Sequence, residues 1–301
     1  MGKFSRIFFL LRIFVDVPVF ISLLAVSFLF SACKSKPASQ EEPRLSFPSA
    51  SLVFNGIEAD DPVHLKLLFA LDITYPLPAA GQVKIESWQV NLNGKNASPA
   101  FTLDFPESTV IASNSSIPLR LNMDIAALAE KGLAPHDDYS VTLITELVFN
   151  SDFTVPMKFT VSGLAEFPGV LEPKFKITSI AILQAELINT RFRVGLRIDN
   201  PNPYPVELSA FSYKLFGNGR LWAEGEEKNI IQIPENFSVE GNLFMMMNFI
   251  DMERRLLDQI INLVDVNYRF SGEAQVSTGV DYLPVFNTEF NLSGYSEVLE
   301  K

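Results

Sequence analysis

An alternating strand pattern, written twice, constrains this chain more than any other feature. Phe192, Val194, Leu196 and Ile198 alternate with Arg191, Arg193, Gly195 and Arg197, the period-2 signature of a strand with one buried and one wet face. The same pattern, Leu65, Leu67, Phe69 and Leu71, lies 127 residues upstream. There His64 and Lys66 take the places of Arg191 and Arg193, and Asp72 that of Asp199. At the same offset Pro76 and Pro78 answer Pro203 and Pro205. Further landmarks follow with small drifts: Gly94-Lys95 answers Gly219-Arg220, Phe105-Pro106-Glu107 answers Ile233-Pro234-Glu235, and Tyr139 answers Tyr268. Each half ends in an apolar-Ser-Gly triplet, Val161-Ser162-Gly163 and Leu292-Ser293-Gly294. A long period of this kind is the mark of a tandem duplication.

Each half also carries one short helical pattern. Asp124 is a candidate N-cap for Ile125 to Lys131, with Gly132 as the stop. Asp251 opens a second run to Val264, with Leu256, Leu257, Ile260, Ile261 and Val264 on one stripe. The rest reads as short strands separated by Gly, Pro and Asn turns. The expected fold is therefore dominated by β structure, α+β by strict count: two tandem antiparallel β-sandwiches, immunoglobulin- or fibronectin-like, each with one short helix. The first spans 49–167 and the second 174–298. The joint, Phe167-Pro168-Gly169-Val170-Leu171-Glu172-Pro173, holds two prolines and a glycine that interrupt any regular element.

Ahead of the repeats stands an export signal over residues 1–32. Lys3, Arg6 and Arg12 precede an uncharged run from Val17 to Ala32, which is short for a membrane-spanning helix of about 20 residues. It ends Leu29-Phe30-Ser31-Ala32-Cys33. This resembles the lipobox of bacterial lipoproteins, in which cleavage leaves an acylated cysteine as the first residue. Phe30 stands where leucine is commonest, a relaxation tolerated in spirochaetes among other groups. The single cysteine of the chain excludes an internal disulfide and a Cys-x-x-Cys pair. Residues 33–48 are polar and proline-rich, as a flexible tether would be. The expectation is a membrane attachment through Cys33, with two or more acyl chains sufficing for stable anchoring.

The net charge is −11, and removing the leader takes away three basic residues and Asp16, leaving −13. That balance argues against nucleic acid, whose phosphates need a basic face.

At Asp199-Asn200-Pro201-Asn202-Pro203-Tyr204-Pro205-Val206 the chain acquires a family likeness. An alternating strand ends in Asn-Pro-Asn and is followed by a strand with Phe211 and Tyr213. A glycine turn and Ile233-Pro234 before another alternating strand complete the pattern. From about Phe175 to Glu297 it resembles the late embryogenesis abundant type 2 family, with its water-stress and hypersensitive-response domain. The first half departs from the motif, with Ile73-Thr74-Tyr75-Pro76 in place of its start. The resemblance implies a two-sheet sandwich without catalytic chemistry or cofactor, acting as a binding or stress-protection module. From the residues alone, Asn200, Pro201, Asn202 and Pro203 read as a structural turn: proline fixes φ and asparagine side chains bond nearby backbone.

Catalytic patterns are otherwise sparse. His64 and His136 have no metal-spaced partners and read as exposed residues. The acidic pairs Asp60-Asp61, Asp137-Asp138 and Glu226-Glu227 read as solvated turns. Of Met245-Met246-Met247, at most half can face one groove in a strand. The expected function is a non-enzymatic, lipid-anchored protein of the bacterial envelope, at the outer membrane or periplasmic face, with an envelope protein as partner. The alternative is a carrier of a lipid or other apolar ligand, held between the sheets or at the joint.

Overall fold

The computed structural model describes residues 48–74, 81–106, 108–111, 114–133, 137–151, 154–184, 190–247, 267–295 and 299–300. Cys33, His136, Pro76, Pro78 and the expected helix at 251–264 lie outside the described residues. Phe47–Lys301 form one compact unit, and the strands among its described residues are arranged in four sheets.

The first half contributes β1 (Ser49–Ala59), β2 (His64–Thr74), β3 (Gly81–Leu92), β4 (Lys95–Asn96), β5 (Phe101–Asp104), β6 (Thr109–Ile111) and β7 (Asn114–Asp124). Helix α1 (Ile125–Glu130), β8 (Asp138–Ser151) and β9 (Thr154–Pro168) complete it. Sheet A runs β1-β2-β7-β5 and sheet B runs β4-β3-β8-β9, with β6 added to β3. The second half supplies β10 (Lys174–Gln184), β11 (Thr190–Asp199), β12 (Val206–Gly217), β13 (Arg220–Glu227) and β14 (Ile231–Ile233). It ends with β15 (Ser238–Met247), β16 (Tyr268–Ser277), β17 (Val285–Gly294) and β18 (Leu299–Glu300). Sheet C runs β15-β11-β10-β18 and sheet D runs β13-β12-β16-β17, with β14 on β12. Among the described residues all pairings are antiparallel except β10 with β18.

Alternation explains both cores. Leu65, Leu67, Phe69 and Leu71 are buried in one cluster with Leu119, Leu121, Val141 and Leu143. Phe192, Val194, Leu196 and Ile198 are buried in another with Phe211, Leu215, Phe270 and Val276. The expected all-β fold with tandem sandwiches is what the sheets show. Helix α1 also forms where expected: the Asp124 carboxylate accepts from Ala127 N at 3.1 Å, and Gly132 leaves the helix at φ 73°.

The two halves share local devices down to single bonds. Asn93-Gly94 and Asn218-Gly219 both turn with φ of 47–49° at Asn and 79° at Gly, the left-handed pair that a two-residue hairpin requires. Each Asn also pairs with the neighbouring strand. Asn93 Oδ1 accepts from Ser140 N at 2.8 Å, and Asn218 Oδ1 from Asn267 N at 3.1 Å. Ser116 donates to Asp72 at 2.6 Å, and Ser238 donates to Asp199 across the matching strands.

Strand pairing moves three of the sequence landmarks. Gly217 pairs with Tyr268 where Leu92 pairs with Val141, so Tyr268 answers Val141 and not Tyr139. Gly294 pairs with Tyr268 and Ala165 with Val141, so the Ser-Gly triplets are likewise out of step by two residues. Ile233 ends the segment that pairs with β12, a role taken in the first half by Ile111 on β3, not by Phe105. A shift of two leaves every side chain on its own face, so hydrophobic alternation alone does not detect it.

Candidate functional site

The Asn200–Tyr204 turn carries two buried polar side chains where β11 ends. Asp199 ends β11, and the chain leaves the sheet edge with Asn200 and Asn202 at 2% and 1% exposure. Pro201 is half-buried and Pro203 exposed. Two buried carboxamides must find partners or forfeit roughly 1–3 kcal/mol per orphaned group. Asn200 Nδ2 donates to the carbonyls of Tyr204 (2.8 Å) and Pro234 (3.0 Å). Its Oδ1 accepts from the backbone N of Asn202 (3.0 Å) and from Asn202 Nδ2 (2.9 Å). The two asparagines therefore fix the turn to each other and to the loop after β14.

Asn202 reaches further. Its Nδ2 donates to Leu171 O at 2.8 Å, and Leu171 N donates to its Oδ1 at 2.7 Å, a reciprocal pair that copies strand pairing. The Tyr204 hydroxyl donates to Gly169 O at 2.7 Å, and Gly169 N donates to Asp137 O at 2.6 Å. From the far side the Tyr282 hydroxyl donates to Pro168 O at 2.7 Å, with its ring edge-on to Phe167 at 5.9 Å. The joint, which by composition reads as a spacer, is thus held residue by residue. Burial, with a lesser effect of Asp137, pushes the Tyr204 phenol well above its ordinary range. Burial, followed by Tyr204 and Tyr139, does the same to Tyr282, so both stay protonated donors. The motif is visible in the sequence, but Tyr282 and the joint carbonyls carry no signal there, because their role exists only across 114 residues of chain.

Beside this clamp lies an open groove of about 660 Å³, lined among others by Phe54, Ile57, Phe167, Pro168, Tyr204 and Tyr282. Apolar surface dominates its wall, with Glu166 and Asp281 also lining it. It offers apolar contact and hydrogen-bond acceptors, and among the described residues no cation lines it.

Of the other candidates, Asp137 joins the clamp through its carbonyl, while His64, Glu226, Glu227, Met245 and Met246 do not line the groove. His64 is exposed and pairs with Asp61 at 3.0 Å. The hydrogen bond to Asp61 and that carboxylate's charge hold the imidazole above its ordinary value of 6.5. Partial burial works against the Asp61 charge, but the hydrogen bonds from His64 and Val63 outweigh it and the carboxyl sits below its ordinary value. Asp61 thus closes a turn, accepting from Val63 N and His64 N at 2.7 Å each. Glu226 and Glu227 lie within β13 and not in a turn, a correction that follows from the strand running further than its flanking residues suggest. Met245 is buried and Met246 is 64% exposed, on opposite faces of β15. Among the described residues no group of three or more His, Cys, Asp or Glu side chains is placed to hold a metal. Among the same residues no helix is long and apolar enough to cross a membrane.

Curated protein sequences contain no match. Solved structures resemble the chain weakly. A protein from Archaeoglobus fulgidus aligns at 16% identity over 42% of this chain and 98% of its own, with a TM-score of 0.26. Red sea bream transglutaminase aligns at 9% identity over 86% of this chain, which spans 32% of that enzyme's length, at 0.25. The periplasmic chaperone SfaE aligns at 12% identity over 84% of this chain and 100% of its own, at 0.23. Residues 195–288, from β11 to β17, match the family model described as late embryogenesis abundant protein.

Proposed function

We propose that this chain is a non-catalytic, membrane-anchored envelope lipoprotein whose two sandwiches, descended from one duplicated unit, serve as a stress-related binding or protection module. The observation that carries the module reading is the family match over residues 195–288, whose motif asparagines are spent on architecture. Both carboxamides of Asn200 and Asn202 are used within the turn and on the joint. The Leu29-Phe30-Ser31-Ala32-Cys33 junction and the polar tether after it support the anchor. Cells making the full chain should incorporate labelled fatty acid at Cys33 and partition it into detergent. A Cys33→Ser variant should lose both. Unchanged labelling and partition in that variant would remove the anchor from the account.

The groove at the joint favours one second reading, a carrier of an apolar ligand bound against Phe54, Phe167 and Tyr282. Native mass spectrometry of the protein released from cells separates the two. Retained lipid that is lost in a Phe54→Ser variant supports the carrier, and a bare mass supports the binding or protection module.

A further inference from the structure

The two outer faces of the second sandwich carry opposite charge. On sheet C the register aligns Lys174 with Asp199, and Lys176 with Arg197. It also aligns Arg193 with Phe244, and Arg191 with Met246. These side chains share the face opposite the buried Phe192, Val194, Leu196 and Ile198. On β10, β11 and β15 five cations stand there against two acids, Asp199 and Glu240, among the described residues, and β18 adds Glu300 at the register position beside Ala181. On the outer face of sheet D the balance reverses. Glu207, Glu224, Glu226, Glu273 and Glu289 stand against Lys214 and Arg269.

Apolar side chains sit at one end of the cationic face. Phe244 is 66% exposed and Met246 64% exposed on edge strand β15, beside Arg191 and Arg193. Exposed Phe and Met on an otherwise wet face invite a partner, and long basic side chains flanking them suit the boundary between acyl chains and headgroups. The whole chain is acidic, at −11, so an anionic surface repels it in most orientations. The equivalent face in the first half is acidic: on sheet A, Glu58, Asp72, Asp104 and Asp124 outnumber Lys66 and Arg120.

We propose that the outer face of sheet C docks on an anionic lipid bilayer, with Phe244 and Met246 in the interfacial layer and Lys174, Lys176, Arg191 and Arg197 on the lipid headgroups. Attraction comes from a few cations at short range, so it is screened within about 10 Å at 0.1 M salt. The proposal is independent of Cys33: the anchor sets whether the chain is held at a membrane, and this face sets how it lies there.

The test uses the full chain with Phe244→Trp, mixed with vesicles whose acyl chains are brominated. Quenching of the introduced indole, above that of Trp88 and Trp222 in the unaltered chain, reads contact with the acyl layer. It is expected with vesicles containing phosphatidylglycerol at low salt, and expected to vanish with phosphatidylcholine alone or at high salt. Lys176→Gln and Arg191→Gln should each weaken docking roughly fivefold. Loss of the Cys33 anchor would change total vesicle binding but not this dependence on phosphatidylglycerol. Three results overturn the proposal. One is equal quenching in both kinds of vesicle. Another is binding of inorganic polyphosphate with no acyl-chain quenching, which marks a soluble-polyanion face. The last is salt-sensitive dimers in sedimentation, lost in the same Gln variants, which marks the acidic face of a second copy as the occupant.

Discussion

The two halves of this molecule solve one folding problem with different side chains, and the differences show which positions are free. In the first hairpin Leu92 precedes the Asn-Gly turn and Ala97 follows it, both buried at 1% exposure. In the second, Gly217 and the buried Trp222 hold the same places, and a Cβ on Gly217 would fall inside the indole ring. Bulk has moved from one strand to the other while the filled volume is kept, as close-packed interiors demand. At the end of the alternating strand the halves part. Ile73 continues β2 and stays buried, paired with Ala50 and Ser115. Its counterpart Asn200 breaks the strand and turns the chain toward the joint. Packing is shared, and the turn held by two buried asparagines belongs to the second half.

The largest effect should come from that volume exchange. Trp222→Ala should cost about 3–5 kcal/mol in chemical unfolding. Adding Gly217→Leu, which recreates the Leu92/Ala97 arrangement, should recover a large part of it. No recovery would mean that the hairpins are not interchangeable.

Next comes a pair of equivalent positions on β8 of sheet B and β16 of sheet D. Thr145 pairs with Trp88 as Gly272 pairs with Tyr213. A Cβ on Gly272 would collide with the Ser212 carbonyl and the Phe290 ring, so Gly272→Ala should cost about 3 kcal/mol. Thr145, fully buried, has a hydroxyl with no partner among the described residues. Thr145→Val keeps the shape and removes the orphan, so it should stabilise by about 1 kcal/mol. Thermal unfolding of the two variants checks both signs at once.

These contrasts also mark how far the sequence can be read. Period-2 alternation places β2 and β11, and Asp124 with Gly132 places α1, because each rests on chemistry local to a few residues. The Asn-Gly turns and the match of Asp72 with Asp199 are legible for the same reason. The match of Tyr139 with Tyr268 fails because a slip of two keeps a side chain on its face. The grip of Asn202 on Leu171 and of Tyr282 on Pro168 is invisible in the sequence, since neither partner advertises a carbonyl or amide in need of a bond. The cationic face of sheet C is hidden for a related reason: its charges come from two strands whose register only pairing reveals.

The smallest effect concerns His64, which stands where the second half has Arg191. Its folded pKa is raised by Asp61, so its contribution is complete below the unfolded value of 6.5 and is lost as pH rises through the folded one. The side chain is 70% exposed, which limits the pair to about a few tenths of a kcal/mol. His64→Ala should therefore cost that much at about pH 5.5 and progressively less as pH rises to about 8. Arg191→Ala should show no pH dependence across the same range, because a guanidinium keeps its charge. Stability measured at both pH values decides it.

Whether the buried asparagines serve architecture is open to direct measurement at one amide. Leu171 N donates to Asn202 Oδ1, so its hydrogen exchange in the unaltered protein should be slow, on the scale of the core strands. In Asn202→Ala it should exchange fast, while amides of β2 and β7 stay protected. A Leu171 amide that exchanges freely in the unaltered protein, or that keeps its protection in Asn202→Ala, would contradict the structural role given to this turn.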